Sequence, residues 1–158
     1  MALRCCCDEC EVKEGHAMNR DAVILVAEDE DGHFALIQRN LYRAGLDNQI
    51  VRFSDGQQVL DFFQNDVSRQ HSRYILLLDL RMPKVSGFEV LAHLKSDIHL
   101  KAIPVIVLTT ANTPQDIQRC HELGCALYIV KPVEYESLVD AIQRIGSFLK
   151  VIEIPQAV

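Results

Sequence analysis

The chain has 158 residues, with 16 Lys+Arg against 22 Asp+Glu for a formal net charge of −6, the size of one ordinary domain with a single core. At 49% apolar and 24% charged residues, its composition is globular and not that of a disordered or fibrous chain. The acidic balance and the lack of a Lys/Arg run argue against a nucleic-acid partner, and no apolar stretch reaches the roughly 18 residues of a membrane span.

The first twenty residues, MALRCCCDECEVKEGHAMNR, lack the apolar stretch of a signal peptide. They are expected to be a disordered leader, with Met18 a candidate start. Cys5, Cys6, Cys7 and Cys10 crowd together here while Cys120 and Cys125 lie far away. Adjacent cysteines make poor staples, so a reducing cytoplasm is expected. Structural zinc needs four well-placed ligands, which Cys7, Cys10 and His16 with their neighbouring thiols do not readily supply.

From there apolar runs alternate with stretches of helical period. Residues 22–27 (AVILVA) form the first run and end in Glu28-Asp29-Glu30-Asp31, after which Phe34, Ile37 and Leu41 fall on one helical face. Residues 49–53 form the second, followed by Ser54 with Gln57, which read as a capping box, and by Val59, Leu60 and Phe63. The third, 74–80, carries Asp79 at its end. Met82-Pro83 and Ser86-Gly87 then make a tight loop, Ser86 with Glu89 a second capping box, and Val90, Leu91 and Leu94 a helical face. The fourth, 105–110, ends in Thr109-Thr110, and Thr113-Pro114 reads as an N-cap with proline in the first turn. The fifth, 126–130, ends in Lys131-Pro132 and leads into a helix from about 134 toward 152 with Leu138, Ile142, Ile145 and Leu149 inward.

Runs that are apolar without alternation suit strands covered on both faces. Repeated β-α units with connections of this length imply parallel strands joined by right-handed crossovers. The expected fold is therefore a doubly wound, flavodoxin-like (βα)5 domain with a five-stranded parallel sheet in the order 2-1-3-4-5. Such sheets bind ligands at the carboxyl ends of their strands, where Glu28–Asp31 acids, Asp79, Thr109 and Lys131 would converge.

Each of these residues has two readings. Glu28 and Asp29 beside Asp79 would repel unless a hard cation such as Mg²⁺ joined them, yet acids also favour the first turn of a helix through its dipole. Asp79 is either a turn residue or a nucleophile. Thr109 can donate to a phosphoryl oxygen or simply suit a strand; Lys131 can bind phosphate or be solvated. Pro132 biases Lys131 away from helix and permits a cis bond at low cost.

Taken together, Ala27-Glu28-Asp29, Leu78-Asp79-Leu80-Arg81-Met82-Pro83 with Gly87, Leu108-Thr109-Thr110 and Tyr128-Ile129-Val130-Lys131-Pro132 resemble the receiver domain of two-component response regulators. The resemblance covers residues 21–146 and leaves 147–158 as a tail extending the fifth helix. It implies that Asp79 accepts a phosphoryl group from a histidine kinase or phosphotransfer protein and that the chain assists its own phosphorylation and dephosphorylation without being an enzyme in the usual sense. It also implies that Asp29, Asp79 and the Arg81 backbone carbonyl hold Mg²⁺, with Glu28 acting through water or as an alternative ligand, and that Thr109 and Lys131 bind the phosphoryl oxygens. Thr109 and Tyr128 would form the switch, Tyr128 rotating inward as Thr109 moves toward the new charge; the simpler reading of Tyr128 is a half-buried ring with its hydroxyl in water. Thr110 stands where the family often has a smaller residue. Arg81 and Ala111 occupy positions that tune dephosphorylation.

Within the family, the Leu-Thr-Thr run and the tail from Ser147 to Pro155 look most like the small response regulators paired with phytochrome-type light-sensing kinases, although the tail lacks the tryptophan frequent there. Neither end of the chain is long enough for an effector domain, so output by protein contact or phosphorelay is expected. Phe148, Val151, Ile152 and Ile154 either pack on their own domain or form a two-fold homodimer through the helix-five end.

Rival readings fit less well. A haloacid-dehalogenase-like phosphatase would want an acid two residues after its nucleophile, where Arg81 stands. A receiver-like interaction module independent of phosphate would show a defect in the Asp/Thr/Lys set, and none is present. A flavodoxin-like cofactor protein would need a phosphate-cradling loop where Glu28–Asp31 acids would repel it.

Overall fold

The computed structural model describes residues 21–65, 73–152 and 154–155; the leader with Cys5, Cys6, Cys7, Cys10, His16 and Met18 lies outside them. Elements alternate in chain order: β1 (Ala22–Ala27), α1 (Asp31–Arg43), β2 (Ile50–Phe53), α2 (Gly56–Asn65), β3 (Arg73–Leu78), α3 (Gly87–Ser96), β4 (Val105–Thr109), α4 (Pro114–Leu123), β5 (Leu127–Val130) and α5 (Tyr135–Leu149). All strand pairs are parallel and the order is β2-β1-β3-β4-β5, the flavodoxin-like topology expected.

The central strands read as unbroken apolar runs because alternate residues serve two cores. Leu25, Ala27, Tyr74, Leu76, Leu78, Val105 and Val107 pack toward α2, α3 and Cys120 of α4. Ile24, Val26, Ile75, Leu77, Ile106 and Leu108 pack toward α1 and α5. On the first face Phe53, Phe62, Phe63 and Tyr74 stack edge-on or tilted, with centroids 5.2–5.8 Å apart, and pin α2 to the sheet.

Helix starts follow local chemistry, with one shift of register. Ser86 and Glu89 make the expected capping box, and the Thr113 hydroxyl accepts from the Asp116 N–H. At α2 the cap is Asp55 instead of Ser54: its Oδ1 accepts from the Gln58 N–H at 2.9 Å, while the Gln58 side chain accepts from the Ser54 N–H at 2.9 Å. An Asp-Gly pair places the stronger acceptor one residue later than the Ser-x-x-Gln pattern suggests.

The fifth helix stops at Leu149, short of the expected 152. The tail then turns back: Ile152 packs against the α1/α5 core and Ile154 is buried in it. Phe148 and Val151 remain exposed at 40% and 76%. The tail thus divides, part of it packing on its own domain and part facing outward. The Lys131–Pro132 bond is trans, as are the other described peptide bonds.

The loop between β3 and α3 is clasped at both ends by glycines that permit backbone-to-backbone contact. A Cβ on Gly87 would lie 2.3 Å from the Asp79 carbonyl oxygen, and one on Gly56 would lie 2.1 Å from that of Val85. Between them Lys84 takes a left-handed φ of 65°, and its ammonium pairs with Asp55 at 2.9 Å. A methyl group at Gly87 must push α3 away from the Asp79 peptide. Gly87→Ala is expected to lower stability by about 1–3 kcal/mol in urea denaturation; an unchanged midpoint would contradict the close packing.

Candidate functional site

Hydrogen bonding between strands continues one residue past β1 and β3. The Glu28 N–H donates to the Phe53 carbonyl at 2.9 Å, and the Asp79 N–H donates to that of Ala27 at 3.0 Å. The two carboxylates are thereby fixed side by side, each buried, at 1% and 7% exposure. Lys131 follows β5, its N–H tied to the Thr109 carbonyl at 2.7 Å. Its ammonium, also buried, lies 2.5 Å from Glu28 Oε2 and 3.1 Å from Asp79 Oδ2.

This three-charge cluster shapes its own titration. Burial pushes the Glu28 carboxyl above its ordinary value, against the opposing pull of the Lys131 bond. Burial alone would lower Lys131, but its bond to Glu28 and the charges of Asp79 and Glu28 together carry it upward. The direction at Lys131 favours its charged ammonium, whereas that at Glu28 reflects the cost of burying its charge.

The exposed Asp29 completes the acidic group. Oxygens of Glu28, Asp29 and Asp79 all lie within 4.8 Å of one another. One ammonium against three carboxylates leaves an excess of negative charge, and the donors are hard oxygens, so the residues fit Mg²⁺ or Mn²⁺ better than a thiophilic metal.

The other expected residues surround this crevice. Arg81 lies on its rim, with its N–H donating to Asp79 Oδ1 at 3.2 Å. Thr109 is fully buried at the end of β4, and its Oγ1 accepts from the Ala111 N–H at 3.3 Å, which leaves the hydroxyl proton to donate. Thr110 is exposed. Tyr128 is half-buried on β5, and its hydroxyl donates to the Ala111 carbonyl at 2.8 Å. The hydroxyl is thus engaged by the β4–α4 loop and is not left in water. Burial is the main cause that pushes the pKa of this hydroxyl up to about 12, so it stays a donor.

Four further residues reach the crevice without a place in the sequence reading. His33 on α1 places Nδ1 3.2 Å from Glu30 and 3.7 Å from Glu28. Lys84 and Asp55 brace the Asp79 loop. Arg52, a charge inside the short run IVRF, reaches the β1–α1 loop. A cation within an apolar edge strand was the available sign for Arg52; His33 and Lys84 carry no sign in sequence because their partners are distant or their helix faces polar.

Removing Lys131 strands two buried carboxylates. Lys131→Met is expected to cost about 3–5 kcal/mol in urea denaturation without divalent cations, and Glu28→Gln in the same background is expected to restore part of it. Additive losses in that cycle would show the pair to be uncoupled.

The family model for the response regulator receiver domain matches residues 24–143. The chain is 34% identical to response regulator Rcp1 of Synechocystis sp. over 142 residues, covering 88% of this chain and 97% of Rcp1. A response regulator receiver domain from Rhodospirillum rubrum superposes with a TM-score of 0.82 at 38% identity, covering 86% of this chain and 99% of that one. The Mn²⁺-bound form of Rcp1 gives 0.78 at 34% identity over 85% and 99% of the two chains, and the phosphorylated cyanobacterial phytochrome response regulator RcpA gives 0.78 at 31% over 85% and 98%.

Proposed function

The chain belongs to the response regulator receiver family, and from that premise we propose that it works as a single-domain response regulator accepting a phosphoryl group on Asp79 in a Mg²⁺-dependent reaction. Membership places it in two-component signalling, where receiver domains exchange phosphoryl groups with histidine kinases or phosphotransfer proteins. The observation that carries the reading is the buried Asp79 carboxylate, held between the Lys131 ammonium at 3.1 Å and the Arg81 N–H at 3.2 Å, beside the Glu28 and Asp29 oxygens.

Phosphoryl transfer requires alignment and charge neutralisation more than covalent help. A carboxylate oxygen of Asp79 forms the new bond to phosphorus as the bond from phosphorus to the donor's nitrogen or oxygen breaks, and the donor leaves with that electron pair. Lys131 and the Thr109 hydroxyl bind the equatorial oxygens, Lys131 giving up part of its hold on Asp79 to do so. Asp29, Asp79 and the Arg81 backbone carbonyl would hold Mg²⁺, with Glu28 acting through water or as an alternative ligand; the cation would offset the negative charge of the phosphoryl group and the acids. The same residues neutralise charge when water attacks the phosphorus and the bond to the Asp79 oxygen breaks, releasing inorganic phosphate and restoring the carboxylate, so the chain assists its own phosphorylation and dephosphorylation.

The switch reading begins from the Tyr128 bond to Ala111. When Thr109 turns toward the phosphoryl oxygens it gives up the Ala111 N–H, and the loop that Tyr128 holds by its carbonyl moves with it. Output passes through the surface of residues 21–146 by protein contact or phosphorelay in the cytoplasm. The similarity to the phytochrome response regulator RcpA supports a phytochrome-type kinase as the donor.

A homodimer through the fifth helix is supported by an open groove of about 500 Å³ whose apolar lining, Leu127, Ile129, Ala141, Ile145 and Phe148, is flanked by Ser137, Asp140 and Arg144. The parent is expected to sediment as a dimer and Phe148→Asp as a monomer; the same mass for both would remove the dimer. For the central reaction, acetyl phosphate with Mg²⁺ is expected to add one phosphate by intact mass. Chelator or Asp79→Asn should abolish it, and modification that survives Asp79→Asn would defeat the assignment.

A further inference from the structure

Arg52 belongs to the edge strand β2, in register with Val26 of β1, and its guanidinium engages a single stretch of the neighbouring loop. Nε donates to the Glu28 carbonyl at 3.2 Å, and Nη2 donates to the Asp29 carbonyl at 3.2 Å. Nη1 pairs with Asp31 Oδ1 at 2.6 Å. The guanidinium carbon sits 4.9 Å from the centroid of the Phe34 ring.

All three nitrogens are therefore used on residues 28–31, with the aromatic face of α1 as a support. From this geometry we infer that Arg52 is a positioning residue for the cation site, fixing the backbone of the acidic loop so that Asp29 faces Glu28 and Asp79 before any cation arrives. The inference rests on the reading of that crevice as a Mg²⁺ site.

Asp29 is the exposed member of the acidic group, so packing does little to aim it and its backbone must. Beyond the backbone bond from Glu28 to Phe53, two side-chain restraints act on that backbone. The Glu28 carboxylate accepts from the Glu30 N–H at 3.2 Å, and Arg52 draws the carbonyls of Glu28 and Asp29 toward β2. Without the second restraint, repulsion among Glu28, Asp29, Asp31 and Asp79 favours a splayed loop. A lysine could supply the charge but not two parallel donors in a planar fork. Arg52 itself is no ligand: it holds the carbonyls of residues whose side chains would bind, and partners of this kind set cation affinity at one remove.

The test is Mg²⁺ titration calorimetry on the full chain with Arg52→Met and Arg52→Lys. Both variants are expected to bind Mg²⁺ about ten-fold more weakly than the parent. In the cation-free protein, amide exchange at Glu30 is expected to speed up in both. Urea midpoints measured alongside separate positioning from mere stability. A lowered midpoint with Mg²⁺ affinity within two-fold of the parent assigns Arg52 a structural role and overturns the inference. So does full affinity in Arg52→Lys, which would mean that charge alone suffices. A parent that binds no Mg²⁺ overturns both this inference and the reading of the crevice, whereas a parent that binds it beside unaffected variants overturns this inference alone.

Discussion

The buried ammonium of Lys131, set against Glu28 and Asp79, is the constraint around which the molecule is organised. These residues come from the ends of β5, β1 and β3, separated by 103 and 52 positions in the chain. An ion pair at this depth is weak evidence of stability, because desolvation cancels much of the attraction. Its value is geometric. Three strands must finish at one level for the charges to meet, so the register of the sheet and the placement of the site are a single requirement. Loss of register by one residue would exchange the two cores and separate the charges at once.

The two-faced sheet answers the other half of that requirement. Apart from Arg73 at the start of β3 and Thr109 at the end of β4, the residues of the central strands are occupied in packing, on one face against α2, α3 and Cys120, on the other against α1 and α5. Polar chemistry is therefore pushed to the ends of these strands and to the first residue or two beyond them. That is why an acidic loop, a lone aspartate and a lone lysine, each unremarkable in its own segment, gather at one edge. It also separates this crevice from a dehalogenase-like site, since the rim position after Asp79 carries Arg81, whose side chain is exposed and whose N–H serves the carboxylate.

Much of this was legible in the sequence, and the limits are physical. Strand order, the central strands and the meeting of Glu28, Asp29, Asp79 and Lys131 follow from patterns that are local and strong. The shift of the α2 cap from Ser54 to Asp55 was hidden because both residues can accept and only the observed turn decides between them. The helix-five end was overextended because apolar residues at 151–154 keep a helical rhythm although the chain turns at Lys150 to bury Ile154. His33 and the Lys84–Asp55 pair are not legible because a charged residue on a helix or loop looks the same in sequence whether it meets water or a partner; for Arg52 only its place inside an apolar strand hints at a partner.

The fourth helix offered the weakest sequence pattern, a capped start with no apolar stripe, and the structure explains the poverty: its one fully buried residue is Cys120. Arg119 lies over the Phe88 ring at 4.4 Å, and Tyr128 beneath the same region is tied to the loop that feeds the helix. Local opening is governed by how much apolar surface an element must surrender. By that measure α4 rides on the sheet like a float on a short tether. Its residence is set by a thiol, the half-buried Leu123, a ring contact and a loop hydrogen bond, while the other helices are keyed in by several buried aliphatic or aromatic side chains each.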